Sequence, residues 1–337
     1  MSTAPACLSH SRGTITPALR AVVERLDQRS RHQAAYHFGW ITAGGAPTSA
    51  DAGKAVRPAL ALLSAEAVGA PPEVALPGAV AVELVHNFSL VHDDLMDGDE
   101  ERRHRRTVWK LWGPSSAILT GDAMLALAQE VLLDTGLPTA APAARMLARA
   151  TRHLIRGQVQ DLSFEHRAHV TVEECVDMAA GKTGALLSAS AAIGAVLAGA
   201  PERVVDALAL YGDQVGVAFQ LVDDVLGIWG DPAVTGKPVH SDLRSRKKSL
   251  PVSYALNKDD PLGDELAAWL ATRGDSDEEE LRRVAGLIEG AGGRDWALAE
   301  AARRLALAED ALRGVELDAG ARDELLALGR FVVEREV

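Results

Sequence analysis

The sequence predicts an all-α chain, and three observations carry that prediction. Apolar residues, chiefly alanine and leucine, recur at helical spacing almost throughout, which is the signature of helices that bury one stripe. Aromatic residues make up only 4% of the chain. No series of segments alternates apolar and polar side chains as strands require. The length of 337 residues suits one large domain or two ordinary ones. A linker poor in apolar residues is absent, so residues 1–337 are expected to form one domain.

The elements follow in order. Residues 1–16 read as loosely ordered, with a first helix beginning near Pro17 and carrying Leu19, Val22, Val23 and Leu26 on one face. Residues 44–53, with Pro47, Ser49 and Asp51, form a loop that opens onto Lys54, Arg57 and Pro58. Pro58 suits the first turn of a helix. Residues 69–73 and Pro77-Gly78 punctuate the next connection, after which a long helix carries Glu83, His86 and a run of aspartates. Residues 99–106 are a charged loop, and helices continue through Gly121-Asp122, Gly157-Gln158, Lys182-Thr183 and Gln220. Residues 230–242 are rich in turn formers. The last third, from about residue 261, reads as two or three amphipathic helices around a glycine-rich joint at 290–293.

Composition excludes several classes. A net charge of −12 argues against nucleic-acid binding, so any anionic ligand must be held by local cations. Cys7 and Cys175 are too few and too far apart for a disulfide framework or a zinc site, and fit a reducing cytoplasm. The first 16 residues lack the apolar core of a signal peptide. No uncharged apolar run reaches the length of a membrane span, and residues 186–200 read as a buried helix.

Two aspartate clusters carry the chemistry: Asp93, Asp94 and Asp97, then Asp223 and Asp224, each behind an apolar stretch. On a helix Asp93 and Asp97 share one face, with Asp94 beside them. Carboxylates so crowded repel one another unless a cation lies between them, and Mg²⁺ characteristically bridges a few carboxylates to substrate phosphates. A solvated acidic face is the plainer alternative for either cluster alone. Arg102 and Arg103 follow the first cluster, and Lys237, Lys247 and Lys248 follow the second. Such cations can take up phosphate oxygens that metals leave free.

Taken together these residues resemble the trans-isoprenyl diphosphate synthase (polyprenyl synthetase) family, nearest to its geranylgeranyl diphosphate synthases. The resemblance runs over residues 54–252. It rests on Gly53-Lys54 with Arg57-Pro58, Glu83 and His86 before Asp93-Asp94, and Arg102-Arg103. It continues through Gly121-Asp122, Gly157-Gln158 with Asp161-Leu162, Lys182-Thr183-Gly184, Phe219 through Asp224, Gly236-Lys237, Asp242-Leu243 and Lys247 to Pro251. Three departures stand out: Ala52 replaces a glycine, residues 104–107 replace Gly-x-Pro-Thr, and Gly227 replaces the third aspartate of the second motif. Asp231, eight residues after Asp223, would partly compensate if the helix continued so far.

The resemblance implies a bundle of roughly ten or more helices around a central cavity, a homodimer, and condensation of isopentenyl diphosphate with an allylic diphosphate. It implies three Mg²⁺ ions held by Asp93, Asp94, Asp97, Asp223 and Asp224, with Asp97 and Asp224 partly in support. Arg102, Lys182, Lys237 and Lys247 would grip the allylic diphosphate. Lys54, Arg57, His86 and Arg103 would bind isopentenyl diphosphate without metal. Thr183 and Gln220 would turn oxygen dipoles toward a carbocation. Phe88, five residues before Asp93, would floor the product tunnel and favour geranylgeranyl diphosphate, with farnesyl diphosphate next. A terpene cyclase and a catalytically silent regulatory subunit are the rival readings. A cyclase needs no isopentenyl site, and a silent subunit needs no metal clamp. Arg105 and Arg106 read as solvated, Lys248 as a bystander, Trp109 and Trp112 as core or interface, and Gln158 and Asp161 as members of polar networks.

Overall fold

Helical structure begins earlier in the chain than the sequence implies. In the computed structural model, which describes residues 5–48, 53, 55–232, 239–272, 274 and 276–333, helix α1 spans Ala6–Val23. The expected looseness of residues 1–16 is therefore wrong for 6–16, and residues 1–4 lie outside the described ones. The buried stripe is Cys7, Leu8, Ser11, Ile15, Leu19 and Val23, and polar Ser11 conceals its periodicity. Pro17 sits inside the helix rather than at its start. It removes one backbone bond, to the carbonyl four residues back, which belongs to pliant Gly13.

The chain is all-α, as expected, apart from one short hairpin among the described residues. After α2 (Gln28–His37) and α3 (Val56–Glu66) come α4 (Leu76–Met96), α5 (Val108–Trp112), α6 (Pro114–Leu133), α7 (Ala140–Glu165) and α8 (Val172–Ala179). A π-turn at Ala180–Gly184 leads directly into α9 (Ala185–Leu197). The 28-residue α10 spans Glu202–Trp229. Then follow α11 (Ser241–Arg244), α12 (Leu250–Leu256), α13 (Pro261–Ala271), α14 (Glu278–Gly290), α15 (Gly293–Arg313) and α16 (Ala319–Val333).

Packing runs through the layers in sequence: α6 lies on α4, α4 on α3 and α9, α9 on α10, and α10 on α15. One core joins Val80, Leu84 and Val85 of α4 to Met124 and Leu127 of α6. A second joins Leu60 and Leu63 of α3 to Leu187, Leu208, Tyr211 and Leu325. Helices α3 and α9 meet backbone to backbone, because a Cβ on Gly194 would fall 2.1 Å from the Ala61 carbonyl oxygen.

The segment read as a charged loop is ordered by pairing. Glu101–Arg102 and Arg105–Arg106 form antiparallel strands β1 and β2. Arg103 and His104 turn between them with φ of 52° and 59°, the positive values that a two-residue hairpin turn demands. Arg105 is not solvated: it is half-buried and donates to the carbonyls of Tyr36 (2.8 Å) and Ile41 (3.0 Å), with its guanidinium 4.0 Å from the Tyr36 ring centroid. Arg106 is exposed.

Three helical stretches, Pro72–Met96, Pro114–Leu133 and Val172–Leu197, are long and apolar enough by length and composition to cross a membrane. In the first and third, 72% of the apolar window is buried inside the protein, against 50% in the second. The bundle thus consumes most of that apolar surface, and α6 keeps the largest uncovered share.

Candidate active site

The first aspartate cluster closes α4. Asp97 is the C-cap, and its N–H donates to the Asp93 carbonyl at 2.8 Å. The partial negative charge of the helix end adds to the repulsion among the three carboxylates. Burial pushes Asp93 up to about 6, with Asp97 and Asp161 adding to the rise and Lys182 opposing it. Burial also raises Asp94, to about 6, and Asp97. Asp94 stands apart from the other two. It is buried and accepts from Arg102 Nε at 2.7 Å, while its Oδ2 is buried without a partner.

Opposite lies a cation-rich wall. The capping box Thr171–Glu174 starts α8, which runs into the π-turn that carries Lys182 and Thr183. Such single-turn π elements concentrate at functional sites. The π-turn touches α7 at Gly157, where a Cβ would fall 2.2 Å from the Lys182 backbone nitrogen. Lys182 Nζ bonds Asp161 Oδ2 at 2.5 Å. Burial would raise Asp161, but Lys247 and Lys182 hold it below the usual carboxylate range. Burial works against the charge on Lys247, yet Asp161, Asp224, Asp242 and Asp97 together raise its pKa. Lys247 therefore senses carboxylates of both aspartate motifs at once.

The second motif lies in the last turns of α10. Asp223 is exposed and Asp224 is buried. Asp224 Oδ1 accepts from Gln220 Nε2 (2.7 Å) and its Oδ2 from the Leu250 N–H (2.9 Å). The Thr183 hydroxyl donates to Gln220 Oε1 at 2.7 Å, which completes a line from the π-turn to α12. Burial pushes Asp224 up to about 7 against the pull of Lys247. Helix α10 ends at Trp229 with Gly230 extended, so Asp231 does not continue the helical face. Asp242 instead lies over Gly227, where a Cβ would fall 2.4 Å from its Oδ2.

These donors fit Mg²⁺. Among the described residues, no three His, Cys, Asp or Glu side chains converge as a ready-made cage. Mg²⁺ keeps several waters and is characteristically bound through one or two carboxylates plus substrate phosphates, which matches carboxylates spread over two helices. The raised pKa values of Asp93 and Asp97, and the unpartnered Asp94 oxygen, mark a site short of positive charge.

A second cluster has the opposite need. Arg57 and His86 are half-buried, Arg102 is half-buried and Arg103 exposed. Burial holds His86 well below its usual range, helped by Arg57, Arg103 and Arg102. Burial lowers Arg57 against the pull of Glu83, and Arg57 Nε is buried without a partner. Gly53 lies against Arg103, so that a Cβ would fall 2.9 Å from its guanidinium. Lys54 and Lys237 lie outside the described residues. Phe88 is buried at 5% exposure on α4, one turn before His92.

Several residues of the site escaped the sequence reading. His37 sits beside the cation cluster and meets Asn87 Oδ1 at 3.1 Å, and Asn87 donates to Glu83. Asp242 is a charge partner of Lys247, although it lies in a quoted motif, whereas Asp161 joins the polar network expected of it through Lys182. Arg12 of α1 donates to the Gly53 carbonyl, which no pattern announced. Gln158 is buried with both amide atoms unpartnered, not part of a network. Lys248 donates to the Phe164 carbonyl at 2.8 Å and serves the scaffold. Trp109 and Trp112 pack against the first core.

Comparison with known proteins gives the family. The polyprenyl synthetase family model matches residues 40–288. A (2E,6E)-farnesyl diphosphate synthase of Mycobacterium tuberculosis is 54% identical over 325 residues, covering 96% of this chain and 90% of the relative. A geranylgeranyl diphosphate synthase of the same organism is 41% identical over 334 residues, covering 98% and 94%. The crystal structure of a polyprenyl synthetase from Streptomyces coelicolor A3(2) superposes with a TM-score of 0.95 at 56% identity, covering 97% of this chain and 99% of that one. Two carboxylate helices facing a lysine wall, beside a half-buried arginine cluster, thus occur in a chain that belongs to the polyprenyl synthetase family, whose members are prenyltransferases that make polyprenyl diphosphates.

Proposed function

We propose that this chain condenses isopentenyl diphosphate with an allylic diphosphate, head to tail, and releases geranylgeranyl diphosphate. The observation that supports the two-substrate reading is that α4 runs past two charged clusters of different kinds. Its end presents carboxylates to Lys182 and Lys247, while Glu83, His86 and Asn87 lie in a cluster with Arg57 and Arg103. Mg²⁺ bound by Asp93, Asp97 and Asp223, backed by Asp94 and Asp224, would neutralise and bridge the departing diphosphate; three ions are expected.

The protein's own groups do the rest. Lys182, Lys247 and Lys237 bind the allylic diphosphate, joined by the Nη groups of Arg102, whose Nε is committed to Asp94. Lys54, Arg57, His86 and Arg103 hold isopentenyl diphosphate, and Arg57 Nε gains the partner it lacks. As the allylic C–O bond breaks, the oxygens of Thr183 and Gln220 stabilise the positive charge. The Thr183 proton is spent on Gln220, which leaves lone pairs available. The isopentenyl double bond then attacks, and the released diphosphate removes the proton.

Product length is set by Phe88, a single ring one turn before the first motif, which favours twenty carbons. A second reading, farnesyl diphosphate, draws on the 54% identical relative of that name. Homodimer formation and a cytoplasmic setting complete the proposal.

Product analysis tests it. Purified protein receives Mg²⁺ and isopentenyl diphosphate with dimethylallyl, geranyl or farnesyl diphosphate, and products are sized by mass spectrometry after dephosphorylation. A linear C20 alcohol is expected. A C15 end point selects the second reading, a cyclic hydrocarbon from prenyl diphosphate alone selects the cyclase, and no turnover selects the silent subunit. Asp93→Ala should cut turnover by several orders of magnitude with the circular dichroism unchanged; near-normal rates would remove the metal clamp from the mechanism.

A further inference from the structure

Helices α4 and α6 are locked together at His92, immediately before Asp93. Its imidazole fills a notch that only glycine leaves open, because a Cβ on Gly121 would fall 2.2 Å from His92 Nε2. That nitrogen lies 3.0 Å from the Ile118 carbonyl oxygen. A carbonyl can only accept, so Nε2 carries the proton and donates. Asp122 Oδ1 stands 3.9 Å from the same nitrogen. The imidazole also meets the Phe88 ring in an edge-type contact, with centroids 4.9 Å apart and an interplanar angle of 71°. Phe88 and His92 are four residues apart and share one stripe of α4.

A lone phenylalanine on a helix has two accessible χ1 wells, and a growing apolar chain pressing on it can drive it from one to the other. Here the swing is opposed by an imidazole that cannot itself yield, being seated in the Gly121 notch and bonded to Ile118. We propose that His92 is a positioning residue for product length, pinning the Phe88 ring from α6 and so sharpening the point at which elongation stops. The inference rests on Phe88 being that stop. It also assigns Gly121 a role: the absence of a side chain there is what lets α6 hold the floor.

The test compares product ratios from Mg²⁺, isopentenyl diphosphate and geranyl diphosphate for wild type, Phe88→Ala, His92→Ala, Gly121→Ala and the Phe88→Ala/His92→Ala double variant. Phe88→Ala should lengthen the product. His92→Ala and Gly121→Ala should each raise the ratio of longer to shorter product by about two- to tenfold, the range that an edge-on ring contact supports. The double variant should match Phe88→Ala alone, because His92 acts through that ring. Gly121→Ala displaces the imidazole without removing it and serves if His92→Ala folds poorly. Unchanged ratios in both single variants, with only kcat or Tm lowered, would overturn the proposal while leaving Phe88 as the stop. A double variant shifted beyond Phe88→Ala would overturn it too. An unchanged product from Phe88→Ala would instead sink the Phe88 reading itself, and His92 with it.

Discussion

Burial and charge act on His37 in the same direction. Desolvation, then the charges of Arg102, Arg103 and Arg105, push it down to about 3, against the hydrogen bond with Asn87. The folded protein therefore keeps His37 neutral while the unfolded chain protonates near pH 6.5. Its stabilising contribution is complete above that value and is lost as pH falls from 6.5 toward 3, by up to about 1.4 kcal/mol per pH unit. Replacing His37 with Gln, which keeps a donor for Asn87 but does not titrate, should flatten the stability curve between pH 6.5 and 4.5. Urea midpoints across that range decide it, and parallel slopes for both proteins would show that His37 is not a source of acid lability. The same desolvation explains what sequence could and could not give at this scale. Asp93, Asp97, Lys182 and Lys247 were legible because their types and spacing announce charge chemistry. His37 and Arg12 were not, because each reaches the site across at least 41 residues of chain.

At the scale of elements, the sequence exposed helices through their stripes and failed where a local signal competed. Pro17 points to a helix start because proline favours that place, yet packing of Ile15 and Leu19 carries α1 through it. Residues 99–106 were read as loop because charge density hides a hairpin whose turn residues are not glycine. The π-turn left no sequence mark beyond Lys182-Thr183-Gly184, although its geometry depends on a residue 25 positions earlier: Gly157, against which the Lys182 backbone rests. Gly157→Ala should drive α7 and the π-turn apart, lowering stability by about 1–3 kcal/mol as other overpacking does. Turnover should fall further than stability, since Lys182 and Thr183 move together. Thermal melts beside steady-state rates test this, and full activity at a lowered Tm would mean that the π-turn tolerates displacement.

For the whole molecule, four of the exposed large apolar residues lie on two helices that are consecutive in the chain. On α6, Ile118 and Leu119 are 45% and 64% exposed; on α7, Ile155 and Val159 are 44% and 61% exposed. The short turn at 134–139 makes the two helices antiparallel neighbours, which brings the two pairs level. Half of the apolar window of α6 remains unburied, whereas α4 and α9 spend theirs inside the bundle. Exposed apolar residues grouped in this way suit the proposed association, and a second copy of the chain, meeting them about a two-fold axis, would bury the same residues on both sides. The α6 backbone at Ile118 is also what holds His92, so the proposed association and the proposed hold on Phe88 would both run through α6. Sedimentation should therefore give a particle of twice the 35.6 kDa chain. Leu119→Asp with Val159→Asp should return it to the single-chain mass, because two charges on each partner would meet without compensation. If dissociation also broadens the range of product lengths, α6 carries the connection; a monomeric variant with unaltered products would confine the dimer to stability, and a monomeric wild type would remove the association altogether.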